Sequence, residues 1–164
     1  MRSLTLISSL DAPAYNKENT KGCFWTPLQQ EVVFNSRTRL CISSVVCPVN
    51  WAFQEPPPKY DGRFFLACDL FDRRALIGPQ KVSHLAGPKT KVGHKAVFAF
   101  VPEDAEANSR SFPVVKNFSE WYTIEPGPPI RTVYCKLTDC EDREIVFKRP
   151  SGPLIVEIEI DEDL

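Results

Sequence analysis

Six cysteines, at positions 23, 41, 47, 68, 135 and 140, and two histidines, His84 and His94, have the widest chemical range of any residues in this sequence. A structural zinc site needs four such ligands, with cysteine pairs held a few residues apart. Five residues separate Cys41 from Cys47 and four separate Cys135 from Cys140, so neither pair is Cys-x-x-Cys. On one unbroken strand Cys41 and Cys47 would share a face but stand roughly 20 Å apart. No metal is expected. A nucleophilic cysteine needs an activated thiolate. Cys140 is the one cysteine in a plainly polar setting, "TDCED", where Asp139, Glu141 and Asp142 would raise its pKa. It reads as an exposed turn residue. Cys41, Cys68 and Cys135 lie inside apolar runs and read as small core residues.

The other reactive patterns are missing from the sequence. It has no Gly-x-Ser-x-Gly elbow, no phosphate-cradling glycine loop and no His-Glu-x-x-His. The carboxylate groups Glu103/Asp104 and Asp161/Glu162/Asp163 read as solvated charge rather than an acid–base pair. The expectation is a protein that is not an enzyme and uses no cofactor.

Charge narrows the partners. Twenty basic residues against 21 acidic ones give a net charge of −1, which provides no footprint for nucleic acid or an acidic membrane. The stretch 81–95 gathers Lys81, Lys89, Lys91 and Lys95 with both histidines, but without interleaved aromatics it lacks a platform for stacking single strands. Its natural counterpart is the acidic "EIEIDEDL" at 157–164, on the same or a neighbouring subunit. No run reaches the ~18–20 apolar residues that would cross a bilayer. The opening "MRSLTLISSLDAPAYNKENT" turns polar at Asp11 and makes a poor signal peptide. Arg2 excludes N-myristoylation. The chain is expected to stay in the cytosol or nucleus with its thiols reduced. There the sequon Asn117-Phe118-Ser119 carries little meaning.

The elements that would position these residues are strands. Fifteen prolines, seven glycines and 11 phenylalanines suit short strands joined by rigid turns. Strand patterns recur at 3–10, 31–34, 39–46, 50–54, 63–71, 74–78, 94–101, 130–139, 143–148 and 153–160. No helix is predicted with strength. The segment 102–111 reads as a polar loop, and 79–93 as a long basic loop that holds at most a short helix. The pattern predicts an all-β, antiparallel β-sandwich over 1–164 as one domain, an eight-stranded jelly roll with long loops. An immunoglobulin-like sandwich of ~100 residues would leave too much chain unused.

Several quoted stretches together carry a resemblance. "LTLISSLDAPAYNKENTKGCFWTPLQQEVVF" joins a strand to an aromatic-plus-proline segment. "RLCISSVVCPVNWAF" gives a strand, a proline and a Trp/Phe piece. "RFFLACDLFDRRALIG", "FPVV" and "TVYCKLTDCEDREIVFKRPSGPLIVEIEI" complete the order. This order resembles the small jelly-roll capsid proteins, penton or minor, of virophage, polinton and adenovirus-like double-stranded DNA viruses. The resemblance spans most of the chain but transfers no individual residue. It implies a non-enzymatic virion protein, made in the host cytoplasm or nucleus. Such a protein would self-associate as a pentamer or trimer and pack against the major capsid protein. Trp25, Trp51, Trp121 and Tyr122, read as loop aromatics, are the candidate interface anchors. Two alternatives stand beside this reading. One is a receptor- or glycan-binding head stacking sugars on those four rings. The other is a nucleoplasmin-like jelly-roll chaperone using the acidic end.

The last two strands give the sharpest local expectation. Val133, Cys135 and Leu137 alternate with Thr132, Tyr134 and Lys136, and "TDCEDR" turns the chain. In "PLIVEIEIDEDL", Val156, Ile158 and Ile160 face inward while Glu157 and Glu159 face out. That last strand should close the sheet that holds the first strands.

Overall fold

The computed structural model describes residues 1–8, 19–48, 51–52, 63–72, 96–100, 114–147 and 152–162. Its strands are β1 (Arg2–Ile7), β2 (Cys23–Val32), β3 (Thr38–Cys47), β4 (Trp51–Ala52), β5 (Phe64–Cys68) and β6 (Ala96–Phe100). They continue with β7 (Val114–Asn117), β8 (Trp121–Thr123), β9 (Ile130–Thr138), β10 (Val146–Phe147) and β11 (Ile155–Glu162). Every pairing among them is antiparallel. Sheet I runs β1-β11-β3, and both β7 and β8 pair with the far edge of β3. Sheet II runs β2-β9-β5-β6, and β4 with β10 makes a two-stranded ribbon. The two sheets form a β-sandwich. One core cluster joins Leu6, Leu40, Ile42, Val45, Val156 and Ile158 of sheet I to Phe24, Phe64, Leu66, Val133 and Leu137 of sheet II.

Alternation explains most of this core, and one β-bulge explains the rest. In β11 the even positions Val156, Ile158 and Ile160 are buried, and Leu6 of β1 faces Val156. In β3 the inward residues are Leu40 and Ile42, then Val45 and Cys47. That change of parity requires one extra residue. The register supplies it, with Ile42 opposite Ile158 but Ser44 opposite Glu157, so Ser43 is the insertion. The Ser43 hydroxyl donates to the Glu157 carbonyl at 3.2 Å, tying the bulge to the neighbouring strand.

Four local expectations change. "EVVF" is not a strand of its own, because β2 runs from Cys23 through Pro27 to Val32. Proline survives there because β2 is an edge strand among the described residues, and an edge has one side with no ladder to break. The run 63–71 is a strand only to Cys68 and then tightens into a 3₁₀ turn at Asp69–Phe71. The Asp69 carboxylate accepts the Tyr134 N–H at 3.0 Å, doing for β9 what a further ladder residue would have done. Segment 143–148 shrinks to Val146–Phe147 paired with β4, since Arg143 and Glu144 are consumed by the turn. Cys140 is buried rather than exposed at that turn. Asp139, fully buried, gathers the turn around itself, accepting the N–H groups of Glu141 and Arg143 and the Arg143 Nε–H. Asp142 takes the positive φ of 62° that the reversal requires, a conformation aspartate tolerates.

The expected strand at 74–78, the loops at 79–93 and 102–111, both histidines and Lys81–Lys95 lie outside the described residues.

Candidate functional site

The four candidate aromatics all sit on strands, not in loops, and the fold separates them. Trp51 on β4 is 4% exposed and meets Phe64 edge-to-face, with ring centroids 4.7 Å apart. Tyr122 on β8 is 8% exposed and meets Phe71 edge-to-face at 5.9 Å. Both belong to the core. Trp121, next along β8, faces the other way, onto the outer surface of sheet I. It lies opposite Cys41 and beneath the Arg39 guanidinium, which stands 5.6 Å from the ring. Trp25 on β2 is 41% exposed on the outer surface of sheet II and lies against Tyr134 with centroids 4.4 Å apart. Two rings inside and two on opposite outer faces do not form one platform.

The outer face of sheet I carries the clearest pattern. Reading the register straight across four strands gives Ile7, Ile155, Val46 and Val115, each directly opposite the next. Their strand neighbours Leu6, Val156 and Val45 point into the core, so this row points away from it. Ile7 is 46% exposed and Val115 is 51% exposed. β-branched residues stacked across strands stiffen a sheet surface. Among the described residues the row is half-buried at Ile155 and Val46 and exposed at its two ends, the form an interaction surface takes.

The next row is polar, with Thr5, Glu157, Ser44 and Asn117. Beyond it lie Ser3, Glu159, Cys41 and Trp121. Burial, and then Glu159 and Glu120, push the Cys41 thiol above its ordinary pKa, which leaves it a poor nucleophile. At the far end Arg39 is ion-paired with Asp161, and Arg2 with Glu162. The acidic end therefore finds cations within its own chain, on the strands beside it. The stretch Lys81–Lys95, expected as its counterpart on the same or a neighbouring subunit, lies outside the described residues.

Sheet II shows a different outer surface. Tyr134 lies under Trp25, its hydroxyl 3.0 Å from the Cys23 sulfur, and its pKa is raised by burial and then by that thiol. Asn19 clamps the edge of β2. Its side-chain oxygen accepts the Trp25 N–H at 3.0 Å, and its amide donates to the Trp25 carbonyl at 3.1 Å. One side chain thus makes both bonds that a neighbouring strand would make. Phe65 faces away from the core cluster yet is fully buried, with Arg63 5.9 Å from its ring centroid.

Between β1 and β2 the two sheet edges enclose a groove of about 450 Å³. Leu4, Leu6, Leu28 and Val32 make its apolar walls, and Gln29, Gln30 and Glu31 edge it. It opens because the ladder between β2 and β9 jumps from Pro27–Thr132 to Val32–Ile130, so residues 28–31 bow away.

Alternation along β1 and β11 could have found Ile7 and Ile155, since each is the strand neighbour of an inward residue, Leu6 or Val156. Val46 escaped because the Ser43 bulge reverses parity in β3. Val115 escaped because "FPVV" is too short to announce a strand. No group of three or more His, Cys, Asp or Glu among the described residues is arranged to hold a metal ion. No protein-family profile, curated protein or solved structure matches this chain.

Proposed function

We propose that this chain is a jelly-roll structural protein of a viral capsid, a vertex or minor capsid subunit that self-associates and packs against the major capsid protein. The observation that carries the proposal is the order in which the strands visit the two sheets. β1, β2, β3, β5, β6, the split pair β7–β8, β9 and β11 alternate between sheets I and II as I, II, I, II, II, I, II, I. Taken as eight strands, this order supports reading the fold as the four-over-four arrangement of two nested Greek keys. β4 and β10 are an added ribbon in this reading.

The resemblance of strand order to small penton and minor capsid proteins supports the same conclusion. So does the row Ile7, Ile155, Val46 and Val115, which gives a subunit a continuous apolar contact. Shell building needs durable surfaces rather than a reactive centre, which fits a chain whose described cysteines are mostly buried. The subunit is a homo-oligomer, pentamer or trimer, made in the host cytoplasm or nucleus and carried in the virion.

Native mass spectrometry of the purified chain at tens of micromolar tests this reading. A pentamer or trimer is expected, and a protein that remains monomeric overturns the self-associating subunit. A second reading, a glycan-binding head, draws on exposed Trp25 alone, since the other candidate rings are buried or lie on the opposite face. A glycan array separates the two, because a capsid subunit of the kind proposed binds none.

A further inference from the structure

Cys68 and Cys135 are free thiols on adjacent strands of sheet II, directly opposite each other in the register of β5 and β9. Both point into the core and are buried. Two hydrogen bonds fix the phase of the ladder at this pair. The Leu137 N–H donates to the Gly22 carbonyl, on the β2 side, at 2.7 Å. The Tyr134 N–H donates to Asp69, on the β5 side. Amides along a strand point alternately to its two sides, so the Cys135 amide points towards β2, as that of Leu137 does. Cys68 and Cys135 therefore form a non-hydrogen-bonded antiparallel pair. At such a pair the Cα atoms come within about 4.5 Å and the side chains stand closest. A disulfide accepts Cα separations of about 4.4–6.8 Å.

We propose that Cys68 and Cys135 are a built-in oxidation site that closes to an intrachain disulfide across the centre of sheet II. The step needs a small two-electron thiol oxidant. Two S–H bonds break and one S–S bond forms, and the two electrons and two protons pass to the oxidant. The neighbouring Cys68 thiol, and then burial, hold the Cys135 thiol in its protonated form. The same protonation makes the thiolate scarce, so closure is slow at neutral pH and faster at higher pH. The device is a latch rather than a rapid sensor. Once closed, it encircles residues 69–134, which contain β6, β7 and β8 and the chain's passage from sheet II to sheet I and back. In the register Cys23 lies opposite Lys136, Cys41 opposite Glu159 and Trp121, and Cys47 opposite Val114. This inference does not depend on the capsid reading.

The full-length reduced chain is incubated with diamide, which is converted to its hydrazine, then unfolded, alkylated and digested for mass spectrometry. The expected result is a single linked peptide pair joining Cys68 to Cys135, with the other four of the six cysteines alkylated. The melting temperature should rise by about 5–10 °C and fall back on reduction. Cys68→Ala and Cys135→Ala each remove the rise, while Cys41→Ala keeps it. Should the alanine variants fail to fold, the peptide map of the unaltered chain decides the matter alone. Six alkylated cysteines after overnight oxidation, or a linkage through Cys23 or Cys47 instead, overturns the proposal.

Discussion

Sheets I and II contribute to one core but show opposite outer faces. On sheet I the outward side chains line up in rows across β1, β11, β3 and β7, and the apolar row Ile7, Ile155, Val46 and Val115 is continuous. On sheet II the outward side chains include rings engaged by their own chain: Trp25 by Tyr134, and Phe65 by Arg63. The apolar row of sheet I keeps Ile7 and Val115 about half exposed. The rings of sheet II have already spent much of their contact area inside the subunit. A ring-rich surface is often the first place to look for an interface, yet here the plainer face, with no exposed ring in its apolar row, is the better fitted for assembly.

The strongest way to break this contrast is to remove the strand that organises sheet I. β11 pairs with β1 on one side and β3 on the other, so deleting 153–162 strips both of their ladders. The expected outcome is loss of soluble folded protein, read by circular dichroism and soluble yield. A folded truncation would mean that sheet I does not depend on its central strand.

On sheet II the matching weak point is the edge of β2. Asn19→Ala removes both partners of the Trp25 backbone and should cost about 1–2 kcal/mol in urea unfolding. A cost near zero would show that water replaces the clamp completely. Asp69 gives sheet II a pH signature. Burial, opposed by the hydrogen bond from Tyr134 and reinforced by Asp72, raises its pKa to about 6. The folded state therefore binds this proton more tightly than the unfolded chain, whose aspartate titrates near 4. The resulting stabilisation is fully present below about pH 4 and is lost as pH rises through about 6. Discounted for the partial exposure of the carboxylate, it is on the order of 1 kcal/mol. Asp69→Asn keeps an acceptor for the Tyr134 N–H and should flatten the melting temperature between pH 4 and 7. An unchanged slope would assign the pH dependence elsewhere.

The smallest effect on stability should accompany the largest effect on assembly. Ile155→Lys with Val115→Lys alters only outward positions of sheet I and should change folding stability by less than about 1 kcal/mol. It should nevertheless shift the oligomer towards monomer in native mass spectrometry. Trp25→Ser, on the other sheet, should leave the oligomer intact. The reverse result would move the interface to sheet II.

Legibility in the sequence followed locality. Alternation in "SLTLI", "TVYCKLT" and "IVEIEI" is a property of each strand alone, and it placed Leu6, Val133, Leu137, Ile158 and Ile160 inside and Glu157 outside. The same reasoning did not reach Trp51 and Tyr122, whose rings could anchor an interface or cap the core. An aromatic in a short segment reads as a loop anchor until a partner such as Phe64 or Phe71 covers it. It failed at Cys140 because the burial of that thiol comes from the turn folding around Asp139, not from the polar residues beside it in sequence.

The sequence by itself determined that this is an all-β chain with a wet and a dry side to most strands, because side-chain direction alternates whatever the strand pairs with. It also determined that the last strand is ordered, since a half-apolar strand must be buried against something. Only the tertiary structure decided which strands are neighbours, and neighbours decide everything that spans strands. The apolar row of sheet I needs the register of four strands and the Ser43 bulge to bring Ile7, Ile155, Val46 and Val115 into line. The facing of Cys68 and Cys135 needs β5 beside β9. Cross-strand geometry is non-local: it comes from hydrogen-bond phase between segments far apart in the chain, and no single stretch of sequence carries it.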